Sequence, residues 1–336
     1  MQLSNFNYAL PEELIAQEPL AERDQSRLLV ANRFDQTIEH RKFFEIINYL
    51  RDDDLMVFND TKVVATRLYG SKETGAKVEA LLMRHLSPGV WEAMVKPGRR
   101  IAVGTSLNFD NGLNAEVMDR TKEGGRILRF HSENDPDDII ASIGQVPLPP
   151  YIHKRLENAD RYQTVYAAAD GSAAAPTAGL HFTKSLLDKI KSRGIQTVFV
   201  TLHVGISTFR PVRTENLDDH EMHTESFEIS AESADIINSA KGRVICVGTT
   251  TARALESAAV TKRKVSAMSG ETDLFIKPSY EFKIVDGLVT NFHIPKSTLL
   301  VLVSAFAGTE FVKRAYKEAV HQQYRFLSFG DAMFLC

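Results

Sequence analysis

The chain of 336 residues has only two cysteines, Cys246 within an apolar run and Cys336 at the last position. Two cysteines so placed exclude a disulfide framework and a cysteine-based zinc cluster. Such a sequence is typical of a reducing compartment, which predicts a cytoplasmic protein. The longest apolar run, residues 299–307, is far too short to cross a membrane. No basic segment followed by an apolar one opens the chain, so we expect neither export nor membrane insertion.

An excess of positive charge is also lacking, because 40 Lys and Arg stand against 43 Asp and Glu, with a formal net charge of -3. A nucleic-acid partner would therefore bind a local basic patch and not a generally cationic surface. The composition, 43% hydrophobic and 25% charged, is that of an ordinary globular protein. The length predicts one large domain together with a smaller one.

Hydrophobic patterning changes sharply along the chain. Short alternating runs, separated by Gly, Asp and Asn turns, occur at 76–82, 90–95, 113–118 and 126–130. They predict an antiparallel all-β module, whereas helix and strand patterns alternate on both sides of it. We therefore predict a main α/β domain formed by residues 1–64 and 148–336, with an inserted all-β domain at 65–147. The basic, small-residue-rich segment 262–270 is predicted to be a mobile surface loop.

Residues 174–211 predict a loop, a helix, a strand and a second loop. His181 lies just before the helix and His203 lies at the end of the strand. Gly179 permits close approach to the backbone, and Thr183 is a plausible helix N-cap. This pattern suits a polar ligand held near the main chain. The alternative is that both histidines are core residues and the glycines are caps.

Two further loops have the same design. The strand R-V-I-C-V-G leads into T-T-T-A-R, so Gly248 and three hydroxyls stand at a helix start, where an anion is favoured. A capped structural helix is the alternative there. Asn291 and His293 follow another strand. Because ligands commonly bind beyond the carboxyl ends of strands in α/β sheets, we expect the three loops to converge.

Two other clusters admit more than one interpretation. The acidic run D-D-H-E-M-H-T-E contains His220 and His223, but its spacing matches no H-E-x-x-H pattern, so we predict no metal. Several basic residues lie at the start of the β module and along one part of it. They could contact phosphates or form a solvated face. These are Lys62, Arg67, Lys96, Arg99 and Arg100.

Long sequence blocks, taken together, resemble one known family. They include F-N-D-T-K-V-V-A-T-R-L-Y-G, L-P-P-Y-I, A-A-P-T-A-G-L-H-F, V-T-L-H-V-G, H-T-E-S-F-E-I, V-G-T-T-T-A-R-A-L-E-S and V-T-N-F-H-I-P-K-S-T. The order and content of these blocks resemble the S-adenosylmethionine:tRNA ribosyltransferase-isomerases of queuosine biosynthesis. The resemblance runs from residue 10 to residue 333.

The resemblance implies an α/β main domain with an inserted small β-barrel domain. It also implies transfer of the ribosyl group of S-adenosylmethionine, as co-substrate, to 7-aminomethyl-7-deazaguanine at the wobble position of tRNA. The expected product is epoxyqueuosine-tRNA, with adenine and methionine released. A metal-dependent hydrolase and a non-catalytic RNA-binding protein are the rival interpretations.

Residue roles follow from this resemblance as hypotheses. His181, His203 and His293 are expected to supply the general base and acid, with His223 or Glu225 in reserve. The methionine carboxylate is expected at the helix start after Gly248 or at Arg253, and the adenine against Phe182 or Phe209. Arg99 and Arg100, with Lys62 and Arg67, are expected to contact the tRNA backbone. The full set of predicted substrate-binding residues is Asn59, Asp60, Thr61, Lys62, Arg67, Thr177, Gly179, Phe182, Gly205, Phe209, Gly248, Thr249, Thr250, Arg253, Glu256 and Asn291.

Overall fold

A computed structural model describes residues 1–121, 124–154, 156–205, 212 and 214–336. The chain forms two compact units. The larger comprises Met1–Lys62 and Pro149–Cys336, and the smaller comprises Val63–Leu148. None of the described helices combines the length and the apolar character that a membrane-spanning helix requires.

The elements are numbered in chain order. The strands are β1 (Arg27–Asn32), β2 (Thr37–Lys42), β3 (Leu55–Asn59), β4 (Thr61–Val63), β5 (Arg67–Lys72), β6 (Lys77–Ser87), β7 (Val90–Lys96), β8 (Ser106–Phe109), β9 (Asn114–Arg120), β10 (Arg126–His131), β11 (Ala169–Ser172), β12 (Gln196–Leu202), β13 (Glu225–Ile229), β14 (Val244–Val247), β15 (Ala259–Thr261), β16 (Lys264–Val265), β17 (Met268–Thr272), β18 (Gly287–Asn291) and β19 (Ala332–Leu335). The α-helices are α1 (Pro136–Ile143), α2 (Lys184–Ser192), α3 (Ala231–Ser239), α4 (Thr249–Ser257), α5 (Thr298–Ala307) and α6 (Thr309–His321). Described 3-10 helices span Leu3–Phe6, Glu12–Leu14, Arg23–Gln25, Phe43–Tyr49, Gly98–Arg100, Asp110–Gly112, Ala159–Tyr162, Thr177–His181 and Leu217–Asp219.

A nine-stranded mixed sheet organises the larger unit, in the order β17-β13-β12-β3-β14-β18-β19-β1-β2. Its centre, from β12 to β18, is parallel. Every residue of β3, β14, β18 and β19 is buried, as their nearly continuous apolar sequences require for strands covered on both faces. Successive residues of β3 enter opposite cores: Leu55 and Val57 pack on one face, and Met56 and Phe58 on the other.

Because β14 and β18 pair in parallel, the loops that follow them lie at the same edge of the sheet. Cys246 lies opposite Leu288 in this pairing, so both strands end at the same edge of the sheet. Helix α4 begins there directly after Gly248, and Phe292 follows the last residue of β18. The loops that carry the predicted site residues therefore come off neighbouring parallel strands, as in other α/β sheets.

The smaller unit is a closed antiparallel barrel of order β10-β7-β6-β5-β8-β9. Alternate residues such as Leu68, Leu82, Val95, Val117 and Leu128 fill its interior. The predicted fold class, an α/β domain with an inserted antiparallel barrel, is confirmed. The alternating runs in the sequence indicate four of the strands, whereas β5, β8 and helix α1 were not predicted.

Two local predictions have different outcomes. Thr183 is confirmed as the N-cap of α2, since its side chain accepts a hydrogen bond from the Leu186 amide at 3.1 Å. The prediction of a loop at 262–270 is wrong, because Met268–Thr272 is the edge strand of the large sheet, paired with β13.

Candidate active site

The loops after β14 and β18 meet the 3-10 helix Thr177–His181 around one cavity. Its volume is about 630 Å³, counting the space open to solvent. Six predicted site residues line it: Thr177, Gly248, Thr249, Thr250, Asn291 and His293. The described lining residues include no Lys, Arg, Asp or Glu, so the described wall is polar through its hydroxyl, amide and imidazole groups.

Gly248 forms the turn between β14 and α4. Its φ of 99° lies in a region that side chains with a Cβ rarely adopt, which explains the glycine at this position. The Gly248 amide donates to the Val289 carbonyl at 2.8 Å and ties the turn to β18. Thr251 returns its hydroxyl to the Val247 carbonyl at 2.6 Å. The start of α4 is thereby fixed beside the cavity, with Thr249 and Thr250 in its wall.

His181 and Asn291 form a buried hydrogen-bond network. The Asn291 amide donates to Nε2 of His181 at 3.1 Å and to the Leu327 carbonyl at 3.2 Å. Because Nε2 is the acceptor, Nδ1 of His181 carries the proton and donates to Oγ of Ser26 at 2.7 Å. The Thr177 hydroxyl donates to the Asn291 side-chain carbonyl at 3.0 Å. Both ring nitrogens of His181 are thus occupied by protein groups.

His293 is held differently. Its Nε2 is 2.8 Å from the Thr290 hydroxyl, and Nδ1 has no hydrogen-bond partner within the described part of the chain. Two tyrosines fix its main chain: Tyr8 donates to the His293 carbonyl at 2.5 Å, and Tyr316 accepts from the His293 amide at 3.1 Å. The cavity wall therefore contains an oriented imidazole with one nitrogen left for a ligand.

Burial keeps both imidazoles neutral. His181 is 4% exposed and His293 is 9% exposed. Burial lowers the pKa of His181 to about 3, and the positive charges of Arg325 and Arg23 act in the same direction. Burial alone lowers the pKa of His293 to about 3. At neutral pH each ring is uncharged and has one unprotonated nitrogen, which is the form required of a general base.

His203 does not line this cavity. Its Nδ1 lies 2.7 Å from the Thr61 hydroxyl in a second polar cluster. Asp60 accepts from the Thr201 hydroxyl at 2.7 Å in the same cluster. Burial lowers the pKa of His203 and raises the pKa of Asp60, while the Asp60 charge partly offsets the effect on His203. The structure thus separates His203 from the other two predicted histidines.

Glu225 and Arg253 form a buried ion pair, with side chains 3% and 5% exposed. Arg253 also donates to the carbonyls of Leu274 at 3.2 Å and Thr272 at 3.4 Å, and Glu225 accepts from the Gly205 amide at 2.8 Å. These contacts are internal to the protein. They explain structurally why Arg253, Glu225 and Gly205 stand where they do. That Arg253 binds a substrate carboxylate stays a prediction.

Several other predicted binding residues are engaged in the core. Phe182 has no exposed surface and packs edge-to-face on Phe43 and Phe58, so it offers no face to adenine. Glu256 accepts hydrogen bonds from the amides of Ile284 and Val285 and lies outside the cavity wall.

Glycine and asparagine positions among the predictions also have structural roles. A Cβ at Gly179 would overlap the Tyr166 hydroxyl, so close packing explains this glycine. The Asn59 side chain bridges the strands by bonding both main-chain groups of Leu202, at 2.9 and 3.0 Å, and it accepts from the Thr61 amide at 3.1 Å. Phe209 lies outside the described residues.

The predicted cations differ in their pairing. Lys62 pairs with Asp170 at 3.2 Å, and Arg67 pairs with Glu79 at 3.3 Å. Arg99 and Arg100 are exposed in the 3-10 helix of the barrel unit and have no ion-pair partner among the residues described. His223 is exposed, and the described residues form no group of three His, Cys, Asp or Glu side chains that could hold a metal.

Sequence reasoning missed the residues that complete the site. Ser26 supports His181, whereas Tyr151 and Ser328 line the cavity and hydrogen-bond to each other at 2.7 Å. Tyr8 and Tyr316 orient His293. Each partner lies more than 20 positions away along the chain, and although Tyr151 falls in the block L-P-P-Y-I, that block does not indicate its contact with Ser328. Only Ser26 stands near a segment with an unusual charge pattern, residues 22–27.

Comparisons with known proteins agree with this architecture. A family model described as "Queuosine biosynthesis protein" matches residues 3–335. Proteins named S-adenosylmethionine:tRNA ribosyltransferase-isomerase from Halothermothrix orenii and Staphylococcus haemolyticus are 54% and 52% identical over the full length of both chains. The crystal structure of S-adenosylmethionine tRNA ribosyltransferase from Thermotoga maritima is 41% identical, with a TM-score of 0.58. The match covers 99% of this chain and 100% of that one.

The chain therefore belongs to the queuosine biosynthesis protein family, and the resemblance indicated by its sequence blocks is confirmed. It is an enzyme of the transferase-isomerase class.

Proposed function

We propose that this enzyme transfers the ribosyl group of S-adenosylmethionine to 7-aminomethyl-7-deazaguanine at the wobble position of tRNA and isomerises it to give epoxyqueuosine-tRNA. Adenine and methionine leave, no metal takes part, and the reaction takes place in the cytoplasm. Family membership supports the reaction class. The observation that carries the proposal is the cavity at the strand ends, where two neutral buried histidines stand beside threonine hydroxyls and an asparagine amide.

We assign proton abstraction next to the sulfonium to His293. When Nε2–H donates to Thr290, Nδ1 presents a lone pair that no described side chain occupies. The tyrosines on either side of its main chain hold the ring in place. His181 is a positioning residue in this scheme, because its hydrogen bonds hold Asn291 and Thr177 in the cavity wall.

Product analysis tests the reaction. The purified protein is incubated with S-adenosylmethionine and tRNA carrying 7-aminomethyl-7-deazaguanine, followed by mass analysis of the nucleosides and assay of released adenine and methionine. Epoxyqueuosine with both fragments in equal amounts is the expected result. Bound tRNA without product would contradict the proposal and favour a binding role or another substrate.

Single-turnover kinetics test the role of His293. Loss of a general base typically lowers the rate about 10²- to 10⁴-fold, so His293→Gln should show a loss of that size with substrate affinities nearly unchanged. His321→Gln, at the exposed end of α6, is the matched control and should keep the parental rate. A His293→Gln rate within about threefold of the control, far below the effect of a general base, would remove His293 from the chemistry.

For tRNA we propose that residues 1–64 and 148–336 form the catalytic domain and that the inserted domain, residues 65–147, binds the RNA backbone through Arg99 and Arg100. Both are exposed and lack a carboxylate partner in the described structure. Replacing both by Gln should flatten the salt dependence of tRNA binding by about 0.7 to 0.9 for each phosphate that is no longer neutralised. Arg120→Gln/Arg129→Gln, at exposed positions on β9 and β10, makes the same charge change and should leave the slope unaltered. Equal slopes for both double variants would exclude Arg99 and Arg100 from the interface.

A further inference from the structure

A second, smaller cavity of about 290 Å³, again counting the space open to solvent, lies next to the active-site cavity in the larger unit. Ser328 lines both cavities. His181 lines the second one and hydrogen-bonds Asn291 in the wall of the first. Arg23 and Arg161 also line the second cavity, whereas no Lys or Arg is among the described lining residues of the first. Among the residues described, positive charge is therefore concentrated on one side of His181.

Neutral carbonyls hold both guanidinium groups in place. Arg23 donates to the carbonyls of Gln163 at 2.6 Å and Asp160 at 2.8 Å, and Arg161 donates to the Leu20 carbonyl. Neither guanidinium lies within ion-pair distance of a carboxylate in the described part of the chain. Nε of Arg161 is buried without a hydrogen-bond partner. Such an arrangement leaves donors available and charge uncompensated.

The charges act on one another. Burial lowers the pKa of Arg23, and the nearby charge of Arg161 adds to this effect while Asp160 partly opposes it. A third guanidinium, Arg325, is close enough to lower the pKa of His181, and its Nη1 is likewise buried without a partner. Holding like charges together in a partly buried place costs free energy, which a bound anion would offset.

We propose that this second cavity binds one oxyanion of the substrates, either the carboxylate of the methionine portion or a phosphate of the RNA, through Arg23 and Arg161. Guanidinium groups suit carboxylate and phosphate equally, since both present two oxygens to the planar fork. The identification of the anion as part of S-adenosylmethionine or tRNA rests on the proposed function. The existence of the site is independent of the reaction.

Inorganic phosphate is the probe for the site itself. Thermal unfolding is followed over a phosphate titration at constant ionic strength, for the parent protein and for Arg23→Gln and Arg161→Gln. Phosphate should raise the Tm of the parent and have a smaller effect on both variants. Arg193→Gln is the control outside this cavity: Arg193 also donates to main-chain carbonyls, those of Ile47 and Leu50, and in addition pairs with Asp52 at 3.2 Å. An equal rise in all four proteins would overturn the proposal.

Equilibrium binding distinguishes the two sources. Because Arg161→Gln removes an arginine–oxyanion pair, it should weaken the binding of one ligand about ten- to a hundredfold. Weaker S-adenosylmethionine binding alone would identify the carboxylate. Weaker tRNA binding alone, with a salt slope smaller by about 0.7, would identify a phosphate. Unchanged affinity for both would overturn the assignment to a substrate even where inorganic phosphate binds.

Arg161→Lys guards against the possibility that Arg161→Gln fails to fold, because it keeps the positive charge. Its affinity for the oxyanion should be intermediate, since lysine lacks the planar fork of the guanidinium. None of these measurements requires turnover. A protein that binds inorganic phosphate in this cavity and also binds both substrates, but forms no product, would contradict the proposed function while leaving the oxyanion site intact.

Discussion

Replacing Arg253 by methionine should destabilise the protein strongly without directly removing a substrate contact. The guanidinium and the Glu225 carboxylate are almost completely buried and bonded to each other. Removal of one partner leaves the other charge buried without its counter-ion, which typically costs about 3–5 kcal/mol. The carbonyls of Thr272 and Leu274 are also deprived of a donor. Because a domain is stable by only about 5–15 kcal/mol, the change should be easily measured.

The double variant Arg253→Met/Glu225→Met gives the decisive comparison. With both charges gone, a buried ion pair is often replaced at little cost or even with a gain. The double variant should therefore be markedly more stable than the sum of the two single changes predicts. Part of the loss should persist, because the Gly205 amide also loses its acceptor on Glu225.

Guanidinium-induced unfolding monitored by far-UV circular dichroism measures these differences. The single tryptophan, Trp91, lies in the barrel unit, so its fluorescence follows that unit separately. S-adenosylmethionine affinity is measured on the folded variants in parallel. If Arg253→Met costs less than about 1 kcal/mol, below the range for a buried pair, while S-adenosylmethionine no longer binds, Arg253 is a ligand-binding residue and the structural explanation is refuted.

Further predictions concern Gly179, the two buried histidines and the Asn291 side chain. Gly179→Ala should cost about 1–3 kcal/mol through overlap with the Tyr166 hydroxyl, and Tyr166→Phe should restore part of the loss in urea unfolding. Because the pKa values of His181 and His293 are lowered in the folded state, the unfolded chain binds protons at pH values where the folded chain does not. The free energy of unfolding should therefore fall as the pH drops from 6.5 towards 3. Each histidine should contribute a loss of about 2 kcal/mol at about pH 5, and a His181→Gln/His293→Gln variant should show a correspondingly flatter profile between about pH 7 and pH 5. Asn291→Ala removes a donor from two buried acceptors and should cost about 1–3 kcal/mol in the same unfolding assay, with no change refuting the network.

The fold was predictable where the apolar pattern matches one kind of element. The runs that form β3 and β14 are nearly continuous and apolar, as buried parallel strands require, and the barrel strands alternate with period two. Strand β17 was missed because Met-Ser-Gly-Glu-Thr has neither pattern. It exists through its pairing with β13, which a local window of sequence does not contain.

The candidate site was predictable to the level of loops but not of side-chain roles. A glycine, hydroxyls and a histidine after a strand are local signals, and they correctly marked the cavity wall at Gly248 and His293. Whether a side chain in one of these loops faces the ligand or packs in the core depends on residues that are distant in the sequence. Phe182 is covered by Phe43 and Phe58, which are more than 120 positions away in the sequence. Its neighbours in sequence carry no sign of that packing.

The two cavities together account for a distribution of charge that the composition conceals. On the proposed function, the active-site cavity receives a sulfonium, and a nearby guanidinium or imidazolium would repel it strongly in a poorly hydrated place. The described wall contains no Lys or Arg, and burial keeps His181 and His293 neutral. Arg23 and Arg161 stand instead on the other side of His181, where an oxyanion of the same or the second substrate could use them. A neutral imidazole between the two cavities contributes hydrogen bonds to the site without adding a third cation to it.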